Sequence, residues 1–229
     1  NLADLYSSPS GPDLERDLKR AAADAEAFSK AYDGKVAALD GKALGEAVAK
    51  YEALQDLMGR IGSYASLYYA QDQADPKRGS FSQNVSEKLT DIGAKLVFFR
   101  LEINKLEDAD LAAKQKDPAL AKYGPWLRDL RVWRPHQLSD ELEKALHEKY
   151  VVGRAAWSRL FDETIARLRY PFGNEMLSEP QILDKLSNKD AAVRKEAAKS
   201  FGKVQGDNIA VFSLVTNTLA KDKEIEDRW

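Results

Sequence analysis

The sequence has no cysteine and only two histidines in 229 residues. The first absence excludes disulfides, thiolate zinc sites and Cys nucleophiles together. It is also compatible with a reducing compartment, so the expected location is cytoplasmic. A large surplus of either charge is missing as well. Lys and Arg number 35 against 37 Asp and Glu, a formal net charge of -2, which argues against nucleic acid as the main partner because phosphate binding draws on a basic surplus or face. No apolar run approaches the ~20 residues of a membrane span, and no signal-peptide pattern opens the chain, so no membrane partner is expected. No G-x-S-x-G elbow occurs. "GKALG" and "FGKVQG" lack the phosphate-loop pattern and read as helix boundaries.

What is present is helical rhythm, in a chain long enough to bury roughly 70% of its unfolded surface without staples. Pro12 suits a first helical turn, residues 13–32 read as an amphipathic helix, and Gly34 lies just past its end. A second helix is predicted from after Asp40 to about Gln71, with Leu44, Val48, Tyr51, Leu54, Met58, Ile61, Ala65 and Tyr68 stepping by three or four. Asp75-Pro76 opens a third, in which Phe81, Val85, Leu89, Ile92, Leu96, Phe99, Ile103 and Leu106 keep the rhythm. Such stripes joined by a short turn bury each other as an antiparallel αα-hairpin, ~40 Å long at 1.5 Å per residue.

From 107 to 137 three prolines break the chain into short pieces. Ser139 can cap a helix over 140–150, and another is predicted from Arg154 to Leu168. Gly173-Asn174 signals a turn between short strands, a small β-hairpin near 167–178. Ser178 and Gln181 form a capping-box signature. A further helix is expected from Asp190 to about Lys203, and a last one from beyond Gly206-Asp207 to the chain end. The fold class is therefore mainly α: a long αα-hairpin, further packed helices and one small β-hairpin. The expected organisation is 1–137, the helical region with the hairpin, and 138–229, the helical region with the β-hairpin, joined near 136–139.

"HEKYV" at 147–151 begins like the zinc-protease pattern H-E-x-x-H. That chemistry needs two imidazoles four residues apart on one helical face, with the intervening Glu as general base. Val151 occupies the second ligand's place and donates no lone pair, and the other histidine, His136, lies beyond a helix start. No metal ligand and no catalytic residue are assigned in this chain. In "GRAAWSRLFDE" at 153–163, Trp157, Leu160 and Phe161 share one helical face, while Arg154, Ser158 and Asp162 follow each other at i,i+4. The plain reading is a helix packed by its aromatics, with a satisfied polar edge. The functional reading takes Arg154, Trp157, Ser158 and Asp162 as substrate-channel candidates, with Arg154 holding a peptide carboxylate through a charge-assisted pair.

Four stretches in order, "NLADLY" at the start, "GRAAWSRLFDETIARLRY" at 153–170, "VRKEAAKSF" at 193–201 and "NTLAKDKEIEDRW" at 217–229, resemble oligoendopeptidase F, a bacterial family of zinc metallopeptidases related to thimet oligopeptidase. The resemblance implies a cytoplasmic enzyme that cuts short peptides, nearly all helical and two-lobed around a deep channel. Its zinc would be held by two His of an H-E-x-x-H helix and a downstream Glu, C-terminal of the region matched here. The chain, which starts without Met and stops at Trp229 in a helical pattern, is then expected to be the N-terminal lobe. It would have no cofactor of its own, with Zn in a missing C-terminal catalytic lobe that is its partner. Apolar surface left without that lobe would favour self-association. The alternative is a stand-alone helical interaction module whose hairpin docks partner helices.

Overall fold

The computed structural model describes residues 1–228, so Trp229, placed by the sequence at the end of the last helix, lies outside the described residues. Compactness divides the chain into two units: residues 1–69 with 80–151, and residues 70–79 with 152–229. The division falls after Val151 rather than at the joint expected near 136–139.

The first unit begins with α1, Pro12–Tyr32, whose Pro12 occupies the first turn. Ahead of it, residues 1–11 are pinned by polar groups. Asp13 accepts from the Ser7 backbone N–H and hydroxyl at 3.1 and 3.0 Å, and the buried Asp17 accepts from the Tyr6 hydroxyl at 3.1 Å. Arg60 donates to the Leu5 carbonyl and lies over the Tyr6 ring. Burial and the Asp17 carboxylate push the Tyr6 phenol up to about 12. The Arg16 guanidinium, then the Tyr6 hydroxyl, hold Asp17 below its ordinary value against the cost of its burial.

After α1, Gly34 adopts φ +72°, a left-handed turn that favours glycine. Both oxygens of Glu102 clamp the turn, accepting from the Gly34 and Val36 N–H groups at 2.7 and 3.1 Å. α2, Gly41–Ala70, and α3, Pro76–Ala94, form the predicted hairpin. Tyr64 and Tyr68 of α2 meet Phe81 of α3 edge-on, with centroids 6.2 and 5.5 Å apart.

The third helix is not continuous. It ends at Ala94, and α4, Val97–Lys105, follows a tight turn. There the Lys95 and Leu96 N–H groups bond three residues back, to Ile92 at 3.2 Å and Gly93 at 2.8 Å. Such i→i−3 bonds tighten the coil, and Gly93 is a weak helix former next to the bend. The apolar stripe survives because Leu96, Phe99, Ile103 and Leu106 all enter the same core.

The proline-punctuated segment becomes α5, Asp108–Lys114, α6, Pro118–Ala121, and α7, Gly124–Arg131, and then a 3-10 turn at Arg134–His136. Pro118 and Pro125 each stand in a first turn, where their missing N–H costs nothing. Arg131 closes the end of α4, donating to the carbonyls of Ile103, Asn104 and Leu106 at 3.1, 3.0 and 2.7 Å and pairing with Asp108. α8, Asp140–Tyr150, is capped by Ser139 as expected. Its ties to α4, described below, are why compactness places it with the first unit.

The second unit contains α9, Arg154–Arg167, strands β1, Tyr170–Phe172, and β2, Glu175–Leu177, and α10, Glu179–Leu186. The strands pair antiparallel, Tyr170 opposite Leu177, around Gly173 at φ +56°. Gln181 accepts from the Ser178 N–H at 2.8 Å, completing the capping box. α11, Ala191–Asp207, extends past Lys203 through Gly206, and the break comes at Asn208. There the Asn208 N–H bonds three residues back to Gln205 at 3.1 Å and its side-chain amide donates to the Val204 carbonyl at 2.9 Å. α12 spans Ile209–Glu226. The core of this unit is small: Tyr170, Leu177, Ile182 and Ala197 are buried, with Tyr170 stacked on Phe201 at 5.5 Å. Among the described residues no helix is long and apolar enough to cross a membrane.

Candidate functional site

Spacing at i,i+4 on α9 places Arg154, Ser158 and Asp162 on one face, and all three are exposed. The structure joins none of them to another by a hydrogen bond or ion pair, so the three share a face without internal bonding. The ladder that does form lies one residue further round. Glu163 pairs with Arg159 at 3.7 Å and with Arg167 at 3.4 Å. The signal for it was in the sequence: Arg159, Glu163 and Arg167 alternate in charge at i,i+4, whereas the uncharged Ser158 separates Arg154 from Asp162 in the other row.

Among the described residues Asp162 has no cationic partner, and the atoms crowded around it push its carboxyl above the ordinary value. Solvent access to the exposed side chain screens that effect. Arg154, in the first turn after Gly153, is likewise unpaired, so its guanidinium donors remain available to a carboxylate.

The apolar side of α9 is less buried than its pattern suggested. Trp157 is half-buried, Leu160 and Phe161 are exposed, and no residue of the helix is fully buried. Phe161 packs edge-on against Phe212 of α12, ring centroids 5.5 Å apart. α12 itself exposes Leu214. The pair α9–α12 thus combines a free cation, a free carboxylate and partly exposed apolar side chains, a composition suited to holding an extended polypeptide or meeting another protein surface.

The histidines are elsewhere. His147 is exposed on α8, its ring resting on Gly93, where a Cβ would stand 2.8 Å from Nε2. Val151, in the position of the second zinc ligand, turns inward and is buried. His136 sits in the 3-10 turn beside Trp133, ring centroids 6.5 Å apart. Among the described residues no group of three or more His, Cys, Asp or Glu could hold a metal ion.

The family model described as Oligopeptidase F matches residues 102–170. The chain is similar in fold to oligoendopeptidase-F from Enterococcus faecium, with a TM-score of 0.80 at 19% identity, over 94% of this chain and 44% of that one. A putative peptidase from Chlamydophila abortus is similar at a TM-score of 0.50 and 16% identity, over 95% of this chain and 37% of that one. No curated protein sequence matches. The chain therefore spans less than half the length of either solved structure. Fold and family pattern agree on the oligopeptidase F likeness carried by the sequence motifs, of which "GRAAWSRLFDETIARLRY" lies inside the matched segment.

Proposed function

We propose that this chain is the N-terminal, non-catalytic lobe of a zinc-dependent oligoendopeptidase, a cytoplasmic enzyme that hydrolyses short peptides. The observation that carries the reading is the match of 94% of the chain, at a TM-score of 0.80, to less than half of an oligoendopeptidase-F. In this reading the lobe walls the substrate channel and limits access to it, a positioning and gating role. Arg154, Trp157, Ser158 and Asp162 face the peptide, with Arg154 pairing a peptide carboxylate and Trp157 offering an apolar surface to a side chain.

Zinc and the water-activating Glu then belong to a catalytic lobe outside this sequence, where the metal polarises the scissile carbonyl. That lobe is this chain's principal partner, and without it exposed apolar residues such as Leu214 of α12 favour self-association. The test is a fluorogenic-peptide assay of this chain with added zinc, and of the chain mixed with a separately produced catalytic lobe. The expected outcome is no turnover alone and a binding-dependent gain in kcat/KM on mixing. Chelator-sensitive turnover by this chain alone, or no interaction between the two lobes, would overturn the proposal.

A further inference from the structure

Helix α8 is fastened to its unit by polar contacts rather than by apolar burial. None of its residues is buried. At its start Lys105 of α4 donates to Asp140 at 2.6 Å, and just before it Gln137 donates to the Leu101 carbonyl at 3.3 Å. One turn before its end, His147 rests on Gly93 near the end of α3. These contacts fix its course: α8 runs antiparallel to α4, from Lys105 back past the break at Lys95–Leu96.

The apolar residues of the helix do not hold it down. Leu142, Leu146 and Tyr150 follow each other at i,i+4 and are 47%, 49% and 58% exposed. The polar seam is also under-satisfied. Asn104 Oδ1, Gln137 Oε1 and Asp140 Oδ1 are shielded from solvent and accept no hydrogen bond from the described residues. Closing such a seam desolvates acceptors without replacing their lost bonds, which lowers the net gain of docking. Segments with few buried apolar contacts open locally, well below the free energy of global unfolding.

We infer that α8 is a releasable strap across the α3–α4 break. It opens as a unit between Gln137–Ser139 and the buried Val151, while α2, α3 and α4 stay folded. When closed, it splints the one place where the long apolar stripe 81–106 loses helical continuity; when open, it frees that joint to bend. The inference stands on the geometry of the first unit and does not depend on the proposed peptidase role.

Hydrogen exchange read by mass spectrometry on the whole chain tests it. Amides of residues 144–150 are expected to exchange at least ~100-fold faster than those of α2 and α4, by a route insensitive to low urea. The double variant Asp140→Asn/His147→Ala is expected to speed α8 by about tenfold more while α4 stays within about twofold. A second variant, Gly93→Cys/His147→Cys, introduces the only thiols in the chain and removes the ring that crowds position 93. Bridging the two thiols with a short bifunctional reagent should slow α8 towards the α4 rate. Equal exchange of α8 and α4 in the unmodified chain would overturn the inference. So would an α8 rate that the bridge leaves unchanged.

Discussion

Helix α2 contains two glycines whose replacement by alanine should move stability in opposite directions. Gly59 is exposed, and a Cβ there would meet nothing within 4 Å. Gly59→Ala should therefore return the helix-propensity difference, a gain of about 0.5–1 kcal/mol. Gly45 is buried where α2 crosses the start of α6. A Cβ there would stand 2.5, 2.6 and 2.7 Å from Ala119 C, Ala119 O and Leu120 N. These are backbone atoms, which cannot step aside as the tip of a side chain can. Accommodation requires a shift of α6 or of α2, with an overpacking cost of about 1–3 kcal/mol or more. Even after the propensity gain of about 1 kcal/mol, Gly45→Ala should destabilise by about 2 kcal/mol or more. The measurement is urea unfolding followed by far-UV circular dichroism, comparing midpoints at an unchanged slope. The two variants should straddle the parent chain. If Gly45→Ala is as stable as Gly59→Ala, the close helix crossing is not a feature of the folded protein, and the packing argument for α2 fails.

Three further predictions concern the network at the N-terminus and the end of α4. Asp17 has its folded pKa held below the unfolded value by Arg16 and the Tyr6 hydroxyl, so its contribution is present above about pH 4 and is lost as pH falls through the lower folded value. Asp17→Asn should be less stable than the parent near neutrality, with the gap closing in acid titrations; a constant gap down to pH 2 would refute the assignment. Tyr6 is shifted the other way, to about 12, so its contribution holds below about pH 10 and fades as pH rises towards the folded value. Tyr6→Phe should remove that alkaline loss. Arg131→Ala should cost about 2 kcal/mol, because the carbonyls of Ile103, Asn104 and Leu106 at and just past the end of α4 lose a charged donor in a half-buried setting. A midpoint within error of the parent would refute it.

The elements that the sequence revealed are those whose local chemistry and tertiary role agree. Pro12, Ser139, Gly173 and the Ser178–Gln181 pair each satisfy a backbone requirement that a few residues state completely. The break at Lys95–Leu96 was hidden because it keeps the three-and-four rhythm: a tightened turn that preserves the facing of Leu96 and Phe99 leaves no trace in an apolar pattern. At the far end the misreading ran the other way. Gly206 has the composition of a boundary but faces open space inside α11, whereas Asn208, whose side chain bonds the Val204 carbonyl, is where the helix stops. A breaker residue marks a permitted end, while the hydrogen bond that replaces the helical one marks the real end.

The candidate site shows the same limit at the level of chemistry. Periodicity assigned Arg154, Ser158 and Asp162 to one face correctly, but a face is a statement about direction, not about partners. Arg159, Glu163 and Arg167 share that spacing and are the residues that bond. What separates the rows is charge order: Arg159, Glu163 and Arg167 place opposite charges one turn apart, whereas Arg154 and Asp162 stand two turns apart with Ser158 between them. The rows therefore carry different expectations. The paired one is neutralised internally and contributes the small energy of a surface ladder. The unpaired one keeps a guanidinium and a carboxylate free for an outside partner, which is why the proposed function sets the peptide against that face.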